Sequence, residues 1–281
     1  ATCGGNSPCY STIQEGIDAV AEGGTVNVAA GAYNENLNIG KSLKIIGADA
    51  STTTLTGSHT ITADDVTITG FTIVPTSPAI IIDSSASAVD NINISNNIFD
   101  LTTSPAVGIH ICNAEPNNKI SNVYMEYNTF NGPASKICNP WKIGGYFTST
   151  ISCEIDNIDF QHNTVDKCSI PINLHNKNIK DILIDDNRFT NTDGVVYVWE
   201  DAGETPTGIL SKFVFTNNDV DATNTYGVGI DTAVPPVFGN ANFGTGNRVN
   251  NNQFVGINGA YGFEAVSILS TLTSYTLNAE N

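Results

Sequence analysis

The sequence predicts an all-β fold: a single-stranded right-handed parallel β-helix, three short sheets in about nine coils, closed at its N-terminus by a capping helix. Three observations point there. An asparagine unit recurs along the chain, alternating apolar residues flank each copy, and the only clear helical pattern lies at the start.

The recurring unit reads "NNIFD", "YNTFN", "HNTVD", "DNRFT", "NNDVD" and "NNQFV". Taking Asn97, Asn128, Asn163, Asn187, Asn218 and Asn252 as anchors, the separations are 31, 35, 24, 31 and 34 residues. Degenerate copies precede them, with Gly70 and Gly47 in the asparagine place. Upstream of each anchor lies a short alternating stretch such as "NINIS", "NIDFQ" or "DILID", whose apolar members share one face of a strand. An inward residue follows the anchor, and after a variable gap comes a second alternating stretch, as in "VGIHI" and "VVYVWE". Three short strands and a variable loop describe one coil. The asparagine suits the bend, because it tolerates the left-handed region and its amide can bond the same amide one coil away, ~4.8 Å distant, in an asparagine ladder.

"STIQEGIDAVAEGG" predicts the capping helix, with Ser11 or Thr12 as N-cap, Ile13, Ile17 and Val20 on one face, and Gly23-Gly24 as the stop. The organisation is therefore one domain over 1–281: a cap over 1–24, coils over 25–266, and a closing strand over 267–281.

The chain has 281 residues, 40% apolar and only 14% charged, with 11 Lys and Arg against 28 Asp and Glu, a formal charge of −17. Such a surface repels phosphate backbones and anionic bilayers, which argues against nucleic acid as a partner. No apolar run approaches the ~20 residues of a membrane helix, so no membrane insertion is expected. Six cysteines with no CxxC pair favour disulfides and export, with buried free thiols as the plainer alternative. Cys3 and Cys9 would clip the cap. Coil position suggests Cys112 with Cys153 and Cys138 with Cys168, one of 15 connectivities.

The stretch "YSTIQEGIDAVAEGGTVNVAAGAYNENLNIGKSLKIIGADASTTTLTG" (10–57) resembles the N-terminal entry of the pectin-lyase-like parallel β-helix superfamily, and units such as "NINISNNIFD" resemble its generic repeats. The resemblance covers nearly the whole chain. It implies the fold and a broad set of activities, including polysaccharide lyases, hydrolases, esterases, tailspikes and adhesins. "GAYNE" (Gly31 to Glu35) and "NTDG" (Asn191 to Gly194) match the beginnings of catalytic signatures whose later elements are missing, and Arg188 and Arg248 stand outside any lyase arginine context.

The resemblance also implies that substrate lies on the outward face of the strand after the variable gap. Counting 12 or 13 residues from each anchor picks out Asp83, His110, Trp141, His175, Trp199, Asp231 and Glu264. Two positions earlier stand Asn173 and Tyr197. Indole and phenol faces stack on sugar rings, while Asn, His and carboxylates bind hydroxyls, so the stripe reads as a binding site for extracellular polysaccharide. The plainer alternative is a solvated surface with Trp141 and Trp199 tucked beneath their own loops.

For a lyase, His175 would be the base, Asn173, Lys142 or a bound Ca²⁺ the carboxylate neutraliser, and Tyr197 the proton donor. For a hydrolase, Asp231 with Glu264 or Glu200 is the carboxylate set. Asp185 and Asp186 are candidate Ca²⁺ ligands, with solvated turn carboxylates as the alternative. The expected function is a secreted protein of polysaccharide-lyase type that binds and cleaves acidic polysaccharide. Its rival is a non-catalytic adhesin or tailspike-like glycan-binding module. The oligomeric state is left open.

Overall fold

The computed structural model describes residues 8–103, 106–112, 118–144, 153–169, 171–174, 178–198 and 209–222, with short strands at 228–230, 242–243, 248–250, 253–255, 266–268 and 278–280. The protein is all-β, with one helix, α1 (Ile13–Ala19), among these residues. Every strand pair is parallel, and the chain returns in each repeat to the same three ladders. The first runs through Leu43–Gly47, Val66–Thr69, Val89–Ser95, Ile120–Glu126, Glu154–Gln161, Asn178–Asp185 and Ile209–Thr216. The second contains Ile98–Asp100, Thr129–Asn131, Thr164–Asp166, Arg188–Thr192 and Asp219–Ala222. The third contains Ala106–Ile111, Cys138–Ile143, Ile172–Leu174, Val196–Val198 and Val228–Ile230. Two long strands, Thr53–Ile61 and Thr72–Ile82, run through both the second and the third, so these two ladders form one curled sheet.

Alternation decides what each strand buries. In Thr53–Ile61 every second residue is buried, and in Val89–Ser95 the buried set is Val89, Ile92 and Ile94. The spacing from Val89 to Ile92 is three because Asn91 is left-handed (φ 57°), a bulge that shifts the alternation by one. The inward residues make a continuous core. Stacked rings run through it, from Phe99 on Phe130 (4.6 Å between centroids) to Phe189 on Phe215 (6.3 Å).

The anchor asparagines are buried, and each bonds the next. Asn97 Nδ2 donates to Asn128 Oδ1 (3.3 Å), Asn128 to Asn163 (3.2 Å), Asn163 to Asn187 (3.1 Å) and Asn187 to Asn218 (3.0 Å). The same Oδ1 atoms accept the anchor backbone N–H groups of the preceding repeat, and Nδ2 also reaches strand carbonyls such as Ile94 O and Met125 O. These amides thereby satisfy backbone groups that the bend would otherwise leave orphaned in the interior.

One expectation is corrected. The residue that leaves the β region is the one before the anchor: Asn96, Tyr127, His162, Asp186 and Asn217, with φ between 51° and 57°. Gly70 (φ 82°) pairs in sequence with Asn96, so Phe71 occupies the anchor place in that repeat and Gly70 is the bend. Work is divided between the two residues of each "NN", "YN" or "HN": the first bends and the second bonds.

The cap forms as a short helix with Thr12 as N-cap and a capping box to Glu15. Ile13 and Ile17 enter the core. Glu35 of "GAYNE" accepts the Ile13 and Gln14 N–H groups (both 3.0 Å), so this carboxylate caps the helix from another part of the chain. Cystines join Cys112 to Cys153 (Cα–Cα 6.0 Å) and Cys138 to Cys168 (5.1 Å). The expected Cys3–Cys9 clip falls on Cys3, which lies outside the described residues.

Candidate functional site

The third ladder fixes what its outward face presents. Cross-strand register places Thr60, Ile81, His110, Lys142, Asn173, Tyr197 and Gly229 on successive rungs of one row. The adjacent inward row runs Ile80, Ile109, Trp141, Ile172 and Val196.

Trp141 is therefore not a sugar platform. It is 0% exposed and stacks inside on Phe160, with ring centroids 5.3 Å apart and planes 4° from parallel. The turn before Cys138–Ile143, where Lys136 is left-handed (φ 59°), makes the stretch from the anchor to this row one residue longer than in the preceding repeat, and a one-residue slip exchanges the two faces. Lys142 thereby takes the outward place beside His110.

His110 keeps its row but not its expected role. It is 1% exposed, and its Nε2 donates to the Gly144 carbonyl at 2.7 Å. Burial pushes its pKa down to about 4, the Gly144 bond opposes this, and the nearby Lys142 charge adds to it. A neutral imidazole tied to the end of the neighbouring strand has little left to offer sugar hydroxyls.

Lys142 is the unusual cation. It is 5% exposed, and burial pushes its pKa down to about 8. Asn173, half-buried, follows it on the next rung, and the backbone of Tyr197 continues the row. Burial disfavours the charged form of this amine, which accounts for the lowered pKa.

Asp83 lies half-buried at the end of Thr72–Ile82, where it accepts Ser85 N–H (2.8 Å) and Ser85 Oγ–H (3.1 Å) and so closes a turn. The predicted residues His175, Trp199, Glu200, Asp231 and Glu264 lie outside the described residues. Of the expected metal pair, Asp185 accepts from Asn217 Nδ2 (2.8 Å) and Asp186 pairs with His162 Nδ1 (3.0 Å). Their side chains serve different partners because one belongs to the strand and the other to the left-handed bend. No group of three or more His, Cys, Asp or Glu able to hold a metal occurs among the described residues.

Sequence reading passed over three features. His59 is 1% exposed in the interior, its Nδ1 accepts Leu37 N–H (3.3 Å), and burial pushes its pKa down to about 4. A second left-handed series, Asp65, Asn91, Asn122, Asn157, Asp181 and Lys212, crosses the first ladder, linked by bonds such as Asn157 Nδ2 to Asn122 Oδ1. Its signal was present, as an Asn or Asp six residues before most anchors. The third feature is the pair Tyr127 and His162 at the bend.

No protein-family model matches the chain, and neither does any curated protein or solved structure.

Proposed function

We propose that the chain is a single right-handed parallel β-helix of about nine coils, of pectin-lyase-like type, that is exported and binds acidic polysaccharide along the outward face of its third ladder. The observation that carries this reading is Lys142, a buried cation between His110 and Asn173 on one row. A uronate carboxylate placed against that ammonium gains a charge-assisted bond in surroundings poor in water, and the Asn173 amide can bond the adjoining hydroxyls. Two cystines beside the row, and the lack of any helix among the described residues long and apolar enough to cross a membrane, support an extracellular setting.

A lyase reading keeps β-elimination: Lys142 would neutralise the carboxylate, which acidifies the adjacent C–H, while the expected base His175 and the expected proton-donating side chain of Tyr197 lie outside the described residues. The reading as a non-catalytic adhesin or tailspike-like module is favoured by the burial of His110 and Trp141, which takes two expected groups off the face.

A glycan array together with an absorbance assay for unsaturated uronate products tests both. Acidic glycans bound with product formed supports the lyase. Binding without product leaves the non-catalytic module, and no binding of acidic glycans contradicts the proposal as a whole.

A further inference from the structure

Two rings occupy a place in the repeat that asparagine, aspartate or glycine fills elsewhere among the described bends. The residue before each anchor is left-handed, and Asn96, Asp186 and Asn217 are the inexpensive occupants of that conformation. At two successive repeats the occupant is instead Tyr127 (φ 56°) and His162 (φ 55°). Histidine tolerates this region, but a bulky tyrosine there costs about 1 kcal/mol or more, so the presence of Tyr127 calls for a compensating use.

The rings stack on one another, with centroids 4.7 Å apart and planes 16° from parallel, close to the ~4.8 Å spacing of the rungs. Asp186, one repeat further, holds His162 Nδ1 at 3.0 Å and so fixes the lower ring. Tyr127 is nonetheless 57% exposed, the most open of the large apolar side chains among the described residues. One of its faces rests on His162. Asn96, the bend residue one repeat back, is exposed, and its N–H donates to Glu126 O (3.1 Å). Glu126 and Gln161, outward-facing neighbours on the first ladder, add polar groups beside the rings.

We propose that Tyr127 is the floor of a second carbohydrate subsite, on the edge between the first and second ladders, which takes the C–H face of a neutral pyranose. The sugar ring adds one more layer to the stack, and Asn96 and Glu126 bond its hydroxyls. A neutral sugar fits better than a uronate, because Glu126, Asp185 and Asp186 surround the rings with negative charge. A protein partner fits less well, since one ring in a polar rim lacks the contiguous apolar centre of a hot spot.

The test is ligand-observed saturation-transfer NMR with neutral gluco- and manno-oligosaccharides as probes, on wild-type protein and on Tyr127→Asn, Tyr127→Phe and Lys142→Met. Asparagine already stands at this bend in other repeats, so Tyr127→Asn keeps the fold, checked by an unchanged or higher Tm. The expected result is transfer to the C–H protons of one sugar face, weakened about tenfold or more by Tyr127→Asn, kept by Tyr127→Phe and unaffected by Lys142→Met. No transfer to any neutral probe, or undiminished transfer in Tyr127→Asn, overturns the proposal. The Lys142 variant keeps this outcome separate from that of the acidic-polysaccharide site.

Discussion

His59 and His110 are each about 1% exposed and hold their imidazoles neutral, with pKa values pushed down to about 4 by burial. A group whose folded pKa lies below its unfolded value of ~6.5 stabilises the fold fully above that value. That stability is lost as pH falls from ~6.5 toward 4, by on the order of 3 kcal/mol for each histidine. Lys142 carries the same sign in a higher window, so stability rises again as pH climbs from about 8 toward 10.5. Urea midpoints measured between pH 7 and pH 4.5 should therefore fall steeply, and His59→Gln should flatten the slope. An equal slope in that variant would show that His59 is not the titrating group. Here exposure and hydrogen bonding outweigh residue type, since the half-buried His162, bonded to Asp186, shares its side chain with the buried His59 and has different partners.

Among the strand elements, the buried anchor amides hold the bends together. Asn163 accepts Asn128 N–H (2.9 Å) and donates to Met125 O (2.8 Å), Gln161 O (2.9 Å) and Asn187 Oδ1 (3.1 Å), all at a buried site. Truncation to alanine would leave buried donors and acceptors on both neighbouring repeats without partners, at a cost of about 3 kcal/mol. Chemical denaturation of Asn163→Ala measures this, and a loss below about 1 kcal/mol would mean that water replaces the amide. The asparagine periodicity made the parallel, all-β character and these buried amides legible in the sequence. It did not make the faces legible everywhere. Counting from the anchor placed Trp141 outward because the count assumed equal gaps, whereas the turn around Lys136 adds a residue and exchanges Trp141 with Lys142. Gly70 was misplaced by one for a related reason: the bend and the amide row belong to neighbouring residues, and a glycine can serve only the bend. Alternation yields a face only where the register is known, and variable loops are where it is lost.

For the whole molecule, a net charge of −17 opposes the approach of a polyanion, while in the proposed site Lys142 would attract its carboxylates at contact. These two effects differ in range. Raising salt from 0.01 M to 0.15 M shortens the screening length from about 30 Å to about 8 Å, so association with acidic polysaccharide should speed up across that interval while the contact pair survives. Stopped-flow mixing reads this, and a rate that falls with salt would indicate attraction by a basic surface instead.

The most direct test of the acidic-polysaccharide site is calorimetric titration of a uronate oligosaccharide into wild-type protein and Lys142→Met between pH 7 and pH 9.5. Methionine fits the buried stem without the charge. The wild-type affinity should weaken as pH rises through about 8, where Lys142 of the unliganded protein loses its proton, and the variant should bind about tenfold or more weakly with no such step. Equal affinity of the two proteins at pH 7 would contradict the placement of the carboxylate on Lys142, and with it the third-ladder site.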